Sequence, residues 1–293
     1  MPGVESEIAE APPPRFSARS YISFVDICKN PSAPAAMRQT VQVLKQEIAV
    51  DDCDEAWLQL QKIDQLDLTG LGLSDLTPLA GLNQLRALRL GNNQIEDLGP
   101  LARLGQLDIL QLNDNMLQDI TPLSALEHLR ILDLSSNPGL EQIIALRLVT
   151  GLRELYLSGT NLQSVAPLAD LRELRVLDLG HARISSISAL QGLRKLEWLD
   201  ASENAIADIS PLQNLKTLWY LALANNQIQN IEGLAGLTQL RELYLQNNRI
   251  TNLLPLRQHK SLEGLAAYDN PVDKAQCPRG ADVPGVLDEA CHD

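Results

Sequence analysis

Short segments in which leucine alternates with another residue recur along most of the chain. One of them reads Leu221-Ala222-Leu223-Ala224-Asn225-Asn226-Gln227-Ile228. Leu221 and Leu223 alternate with small residues, the period of a strand with one buried face. The same frame holds Leu88, Leu90, Asn93 and Ile95, then Leu110, Leu112, Asn115 and Leu117. It returns at Leu199, Asn204 and Ile206, at Leu243, Leu245, Asn248 and Ile250, and at Leu265, Asn270 and Val272. Successive frames lie 22 residues apart, with one step of 23 between Leu132 and Leu155. A strict period of this length predicts a solenoid. No coil can bury its own apolar face, so each leucine stacks on its counterpart one coil away. The expected fold is an α/β solenoid: a right-handed arc with a parallel concave sheet and a helical N-terminal cap. About ten strands at about 4.8 Å spacing would span roughly 48 Å.

Asn226 and its equivalents fall where the chain leaves the strand, at a turn with unpaired backbone groups. A buried amide side chain can serve both N–H and C=O. The asparagine series has gaps at Leu71, Thr160 and Ala182. Thr160 can replace part of the bonding and the other two cannot, so looser turns are expected there. Each turn is followed by a short convex segment, often opened by Pro, which suits the first turn of a short helix or 3₁₀ piece. The fourth coil departs from this rule. Asn137-Pro138-Gly139-Leu140 carries the extra residue, and Leu146-Arg147-Leu148-Val149 follows without the Pro-Leu step. A longer convex helix is expected there.

The flanks differ from the repeats. Residues 1–20 run acidic, then Pro12-Pro13-Pro14, then Arg15 and Arg19, the composition of a disordered tail or tether. Residues 21–60 are expected to form a helical N-terminal cap, residues 61–272 a solenoid of about ten repeats, and residues 273–293 a C-terminal cap. Within the first cap, Pro34 to Val50 reads as a helix with Met37, Val41, Leu44 and Ile48 on one face, and Ser32 as its cap. Asp51 or Asp52 would open a second helix through Trp57 and Leu60. Cys28 and Cys53 precede the repeats, Cys277 and Cys291 follow them, and the repeats hold no cysteine. Both open ends of a solenoid need a cap, and disulfides there would suit an oxidising compartment. Four free thiols in a reducing one is the other reading.

The half-repeat Ile209-Ser210-Pro211-Leu212 recurs as Leu76-Thr77-Pro78-Leu79, Leu98-Gly99-Pro100-Leu101 and Ile120-Thr121-Pro122-Leu123. On these residues the chain resembles the leucine-rich repeat family over residues 57–272. The 22-residue coil and Pro-Leu step resemble the subclass shared by bacterial internalins and the phosphatase-regulating nuclear subunit. The run from Cys28 through Gln39-Thr40-Val41 to Asp52-Cys53-Asp54-Glu55-Ala56 resembles the cap of secreted bacterial members. Asn270-Pro271-Val272 followed by Cys277-Pro278 and Cys291 does so too. The resemblance implies a disulfide-capped binding scaffold. It names no partner, because the family binds many unrelated ones.

The formal charge of -13 argues against nucleic acid and anionic membranes, and for soluble behaviour or basic partners. No apolar run reaches transmembrane length. Residues 1–20 lack the charged-then-apolar pattern of an export signal, while the cysteines point to export. An extracytoplasmic protein whose leader is absent from this chain reconciles the two; a cytoplasmic one is the alternative.

Function should lie in the residues between the strand leucines, which face solvent on the concave sheet. One column reads Ile109, Ile131, Glu154, Val176, Trp198, Tyr220, Glu242. The next reads Asp133, Tyr156, Asp178, Asp200, Ala222, Tyr244, and a third ends at Tyr268. The chain has ten aromatic residues, and Tyr156, Trp198, Tyr220, Tyr244 and Tyr268 all fall on this face. Protein interfaces enrich such anchors, whereas a purely structural role would be cross-strand stiffening. Asp178, Asp200 and Glu242 make the face acidic, so the expected ligand is a protein with a basic surface, bound by a monomer. A calcium ion between Asp178 and Asp200 would find too few oxygens on one strand pair. His181 near Asp178 and Ser202 lacks a strained nucleophile turn and an oxyanion pocket, and no metal-ligand or phosphate-loop spacing occurs. The reading is a non-catalytic binding module without cofactor or metal. The alternative is an intracellular subunit of the phosphatase-regulating kind.

Overall fold

The computed structural model describes residues 23–278, 283 and 285–290. Ten three-residue strands, from β1 (Gln65–Asp67) to β10 (Gly264–Ala266), form one parallel sheet in chain order. Equivalent leucines pair in register from Leu66↔Leu88 to Leu265↔Leu243. Leu88, Leu110, Leu132, Leu155, Leu177, Leu199, Leu221 and Leu243 have no solvent exposure. Each such burial contributes about 2 kcal/mol, and the stacked coils make one continuous core. The protein is an α/β solenoid of the horseshoe type.

The turns explain the asparagines. In Asn226, Oδ1 accepts from the Ile206 N–H at 2.9 Å, while Nδ2 donates to the carbonyls of Ala201, Leu223 and Ala224. One amide therefore ties its own turn to the coil before it. Asn93, Asn115, Asn137, Asn204, Asn248 and Asn270 bond in the same way. The residue before each of them is left-handed: Asn92, Asp114, Ser136, Glu203, Asn225, Asn247 and Asp269 have φ between 53° and 57°. The gaps keep this backbone form, with Gly70 at φ 72°, Gly159 at 69° and His181 at 52°. The expected loosening is absent from the dihedrals; only the bonding changes. Thr160 Oγ1 donates to the Leu157 carbonyl at 2.7 Å and makes no further turn bond.

The convex segments are 3₁₀ turns of three or five residues. Most are opened by a side chain two residues upstream: Asp97 accepts from the Gly99 N–H, Asp119 from Thr121 and Asp208 from Ser210. In the fourth coil Gln142 occupies that place. Its convex segment, Ile144–Leu148, is five residues long, the same as Thr121–Ala125 and Ser210–Asn214. The expected longer helix does not form. The extra residue is absorbed in a turn at Pro138-Gly139, closed by the Leu140 N–H on the Asn137 carbonyl at 3.0 Å. His259 stands at a leucine position with no exposure, its ring nitrogens each 3.1 Å from the carbonyls of Leu234 and Leu256. Burial pushes its pKa down, against the pull of the two carbonyls.

Three helices cover the first coil: α1 (Phe24–Lys29), α2 (Ala35–Glu47) and α3 (Cys53–Leu60). α1 begins with a capping box between Ser23 and Asp26. Pro34, not Ser32, is the N-cap of α2. Asp52 caps α3, accepting from the N–H groups of Asp54 and Glu55. The Cys28–Cys53 disulfide joins α1 to α3, and Phe24 stacks on Trp57. The cap docks by filling open backbone sites: Thr40 Oγ1 donates to the Asp75 carbonyl at 2.6 Å, and Gln84 Nε2 to those of Leu60 and Ile63. At the other end, Cys277 is buried and disulfide-bonded, and Leu287 of α4 (Gly285–Ala290) is fully buried. Residues 1–22 lie outside the described residues, as do 279–282, 284 and 291–293 of the expected C-terminal cap, Cys291 among them.

Candidate functional site on the concave sheet

Strands β5 (Glu154–Tyr156), β6 (Val176–Asp178), β7 (Trp198–Asp200), β8 (Tyr220–Ala222) and β9 (Glu242–Tyr244) bring the expected site residues together. Trp198 pairs with Tyr220 and Tyr220 with Glu242; Tyr156 pairs with Asp178, Asp178 with Asp200, and Ala222 with Tyr244. Side chains meet both along a column and diagonally between columns. Trp198 and Tyr220 lie face to face, centroids 4.8 Å apart and planes 11° apart. Tyr220 reaches Tyr244 at 5.6 Å with a 46° tilt. The 4.8 Å ring separation matches the spacing of adjacent strands, so the rings stand on the sheet and stack along it. The two facing surfaces cover each other, and both residues are half-buried.

The acids have distinct roles. Tyr156 donates to Glu154 and Tyr244 to Glu242, each at 3.0 Å, from the same Glu-Leu-Tyr sequence. A methyl group on Gly264 would collide with the Glu242 carboxylate, so glycine leaves that acid its room. Asp178 accepts from the Gly180 N–H at 2.9 Å and Asp200 from the Ser202 N–H at 2.8 Å. Burial, aided by the neighbouring Asp200 and Asp133, pushes the Asp178 pKa up, against the pull of that Gly180 hydrogen bond. Burial also drives Tyr156 and Tyr220 up to about 12, with the surrounding carboxylates adding to it. Their hydroxyls are donors throughout the physiological range. Tyr268 lies beyond this cluster and is exposed. His181 is exposed and occupies the left-handed turn position. Among the described residues no three His, Cys, Asp or Glu side chains gather as metal ligands would, and no helix is long and apolar enough to cross a membrane.

Comparison with known proteins matches this geometry. A leucine-rich repeat family model covers residues 150–206, and a two-copy model of the same repeat covers residues 194–236 and 220–258. An internalin of Listeria monocytogenes, inlF, superposes with a TM-score of 0.65 at 27% identity, over 83% of this chain and 84% of that one. Internalin C2 of the same organism gives 0.67 at 27% identity, over 80% of this chain and 100% of that one. The chain is an internalin-like leucine-rich repeat protein. A leucine-rich repeat protein of Leptospira interrogans is also similar, with a TM-score of 0.60 at 26% identity over 75% of this chain and 70% of that one. No curated protein sequence matches it.

One further aromatic residue of this internalin-like protein adjoins the cluster. Trp219 falls at the strand entry, outside the alternating columns. It meets Tyr220 edge-on, centroids 6.0 Å apart and planes at 72°, and is 42% exposed. The stack thus continues over the lateral rim of the sheet. Its adjacency to Tyr220 in the chain was the available signal.

Proposed function

We propose that this internalin-like protein is a non-catalytic binding module that grips a basic protein partner on its concave face. The observation that supports this most is the contiguous cluster of Trp198, Tyr220 and Tyr244 beside Asp178, Asp200 and Glu242. Stacking the leucines requires none of these rings, and a chain with ten aromatic residues spends three of them here. Aromatic anchors carry interface energy, about 2 kcal/mol or more each at hot spots, while the acids select a cationic partner and speed encounter. Tyr156 and Tyr268 extend the surface to either side. Each chain carries the whole surface, so a monomer suffices. The Cys28–Cys53 bond and the internalin relatives support an extracytoplasmic location over a phosphatase-regulating role in a reducing cytosol.

The test is a pull-down from source cells with immobilised wild type and with the folded double variant Trp198→Ala, Tyr220→Ala. Wild type is expected to retain a partner that the variant loses and that raised salt releases. Identical retention by both proteins would remove the site.

A further inference from the structure

A groove runs along the lateral rim of the sheet, lined by Glu197, Lys216, Trp219, Arg241, Glu242 and Glu263. Trp219 forms its open apolar wall and joins the concave cluster through the edge-on contact with Tyr220. The cations of the groove are occupied: Arg241 lies 4.0 Å from Glu263, and Lys216 donates to the Gly236 carbonyl at 3.0 Å. Glu197 is paired with Arg175. Glu242 differs. It accepts the Tyr244 hydroxyl and has no cationic partner among the described residues.

An exposed indole next to a carboxylate with spare acceptor capacity is suited to a guanidinium. A flat, weakly hydrated fork can lie on the ring and donate to the acid. Trp198 and Tyr220 already turn one face each to the other, whereas Trp219 meets Tyr220 only edge-on. Resting on the concave-face reading and extending it, we propose that this rim groove is the subsite for an arginine side chain of the protein partner. The guanidinium lies on Trp219 with its fork toward Glu242, and the acidic band of Asp200 and Asp178 beyond Tyr220 draws the same partner inward.

The three tryptophans make the test direct. Their indole N–H signals are followed by NMR in the intact chain, with Trp219 assigned through Trp219→Phe. The probes are the capped tripeptide Gly-Arg-Gly at millimolar concentration, its citrulline counterpart and Gly-Glu-Gly. The arginine peptide is expected to move the Trp219 signal and leave Trp57 still, with a response at least tenfold above that of neutral citrulline. Glu242→Gln, which retains shape and acceptor oxygen, should weaken the titration several-fold. A still Trp219 signal, equal citrulline and arginine responses, or a stronger response to the glutamate peptide would overturn the subsite. These outcomes are separable from the concave site: capture lost in the Trp198, Tyr220 double variant without an arginine response removes the rim subsite alone. An arginine response with capture unaffected removes the concave site alone.

Discussion

The coils that turn at Asn204, Asn226, Asn248 and Asn270 and those that turn at Thr160 and Ala182 share one backbone and differ in their wiring. His181 and Asn225 both sit in the left-handed region, at φ 52° and 56°. Yet the amide after Asn225 serves one N–H and three carbonyls, and the methyl after His181 serves none. Turn shape is thus set by the stacking of neighbours, while the amide supplies cohesion between coils. In a solenoid the two are separable, because each coil is held mainly by the pair beside it.

The largest expected effect breaks the intact half. Asn226→Ala removes four hydrogen bonds at a site only 8% exposed, and should cost about 3 kcal/mol in urea-induced unfolding. A loss below about 1 kcal/mol would mean that water replaces the amide. The second repairs the interrupted half. Ala182→Asn should let the new amide accept from the Leu162 N–H, as Asn204 does from Ile184, and gain about 1 kcal/mol. In the wild type, hydrogen exchange at Leu162 should outpace that at Ile228, whose N–H is held by Asn248. Equal protection would dissolve the contrast.

The smallest effect concerns the surface above the interruption. The Asp178 pKa is raised by burial in the folded chain, so between the ordinary value of 3.8 and the raised one the folded state binds more protons. Stability from this group is present at acid pH and lost as pH rises through that window. Asp178→Asn should therefore raise the melting temperature at pH 7, and the gain should vanish below the ordinary aspartate range. A gain independent of pH would assign the effect to packing.

Much of the fold was legible because the repeat is arithmetic. Leu221 on Leu243 follows from a spacing of 22, and parallel pairing follows from a coil that always returns the same way. The columns from Trp198 to Glu242 and from Asp178 to Tyr244 were legible for the same reason, since alternation fixes the side of the sheet. What escaped is decided by side-chain torsions and local closure. The face-to-face pairing of Trp198 and Tyr220 depends on χ angles that no periodicity encodes. So does the emergence of Trp219 onto the rim, where alternation stops. The extra residue near Pro138 was visible, but its destination was not. A turn and a longer convex helix are both ways to store one residue, and the Asn137 carbonyl closing on Leu140 decides for the turn.

That small detour has a larger corollary. Because the surplus residue is discarded before the next strand, every later strand arrives in phase, and the sheet registers length only in whole coils. Excising Ile209–Asn230, one such unit, would bring Trp198 beside Glu242 and shorten the surface by one strand spacing, about 4.8 Å. Removing one residue more or fewer would leave a coil of odd length, whose mismatch a turn must absorb as the Pro138-Gly139 turn does. Lineages of such proteins can therefore lengthen, shorten or shuffle their gripping surface only in quantised steps, with each step rewriting which ring meets which acid.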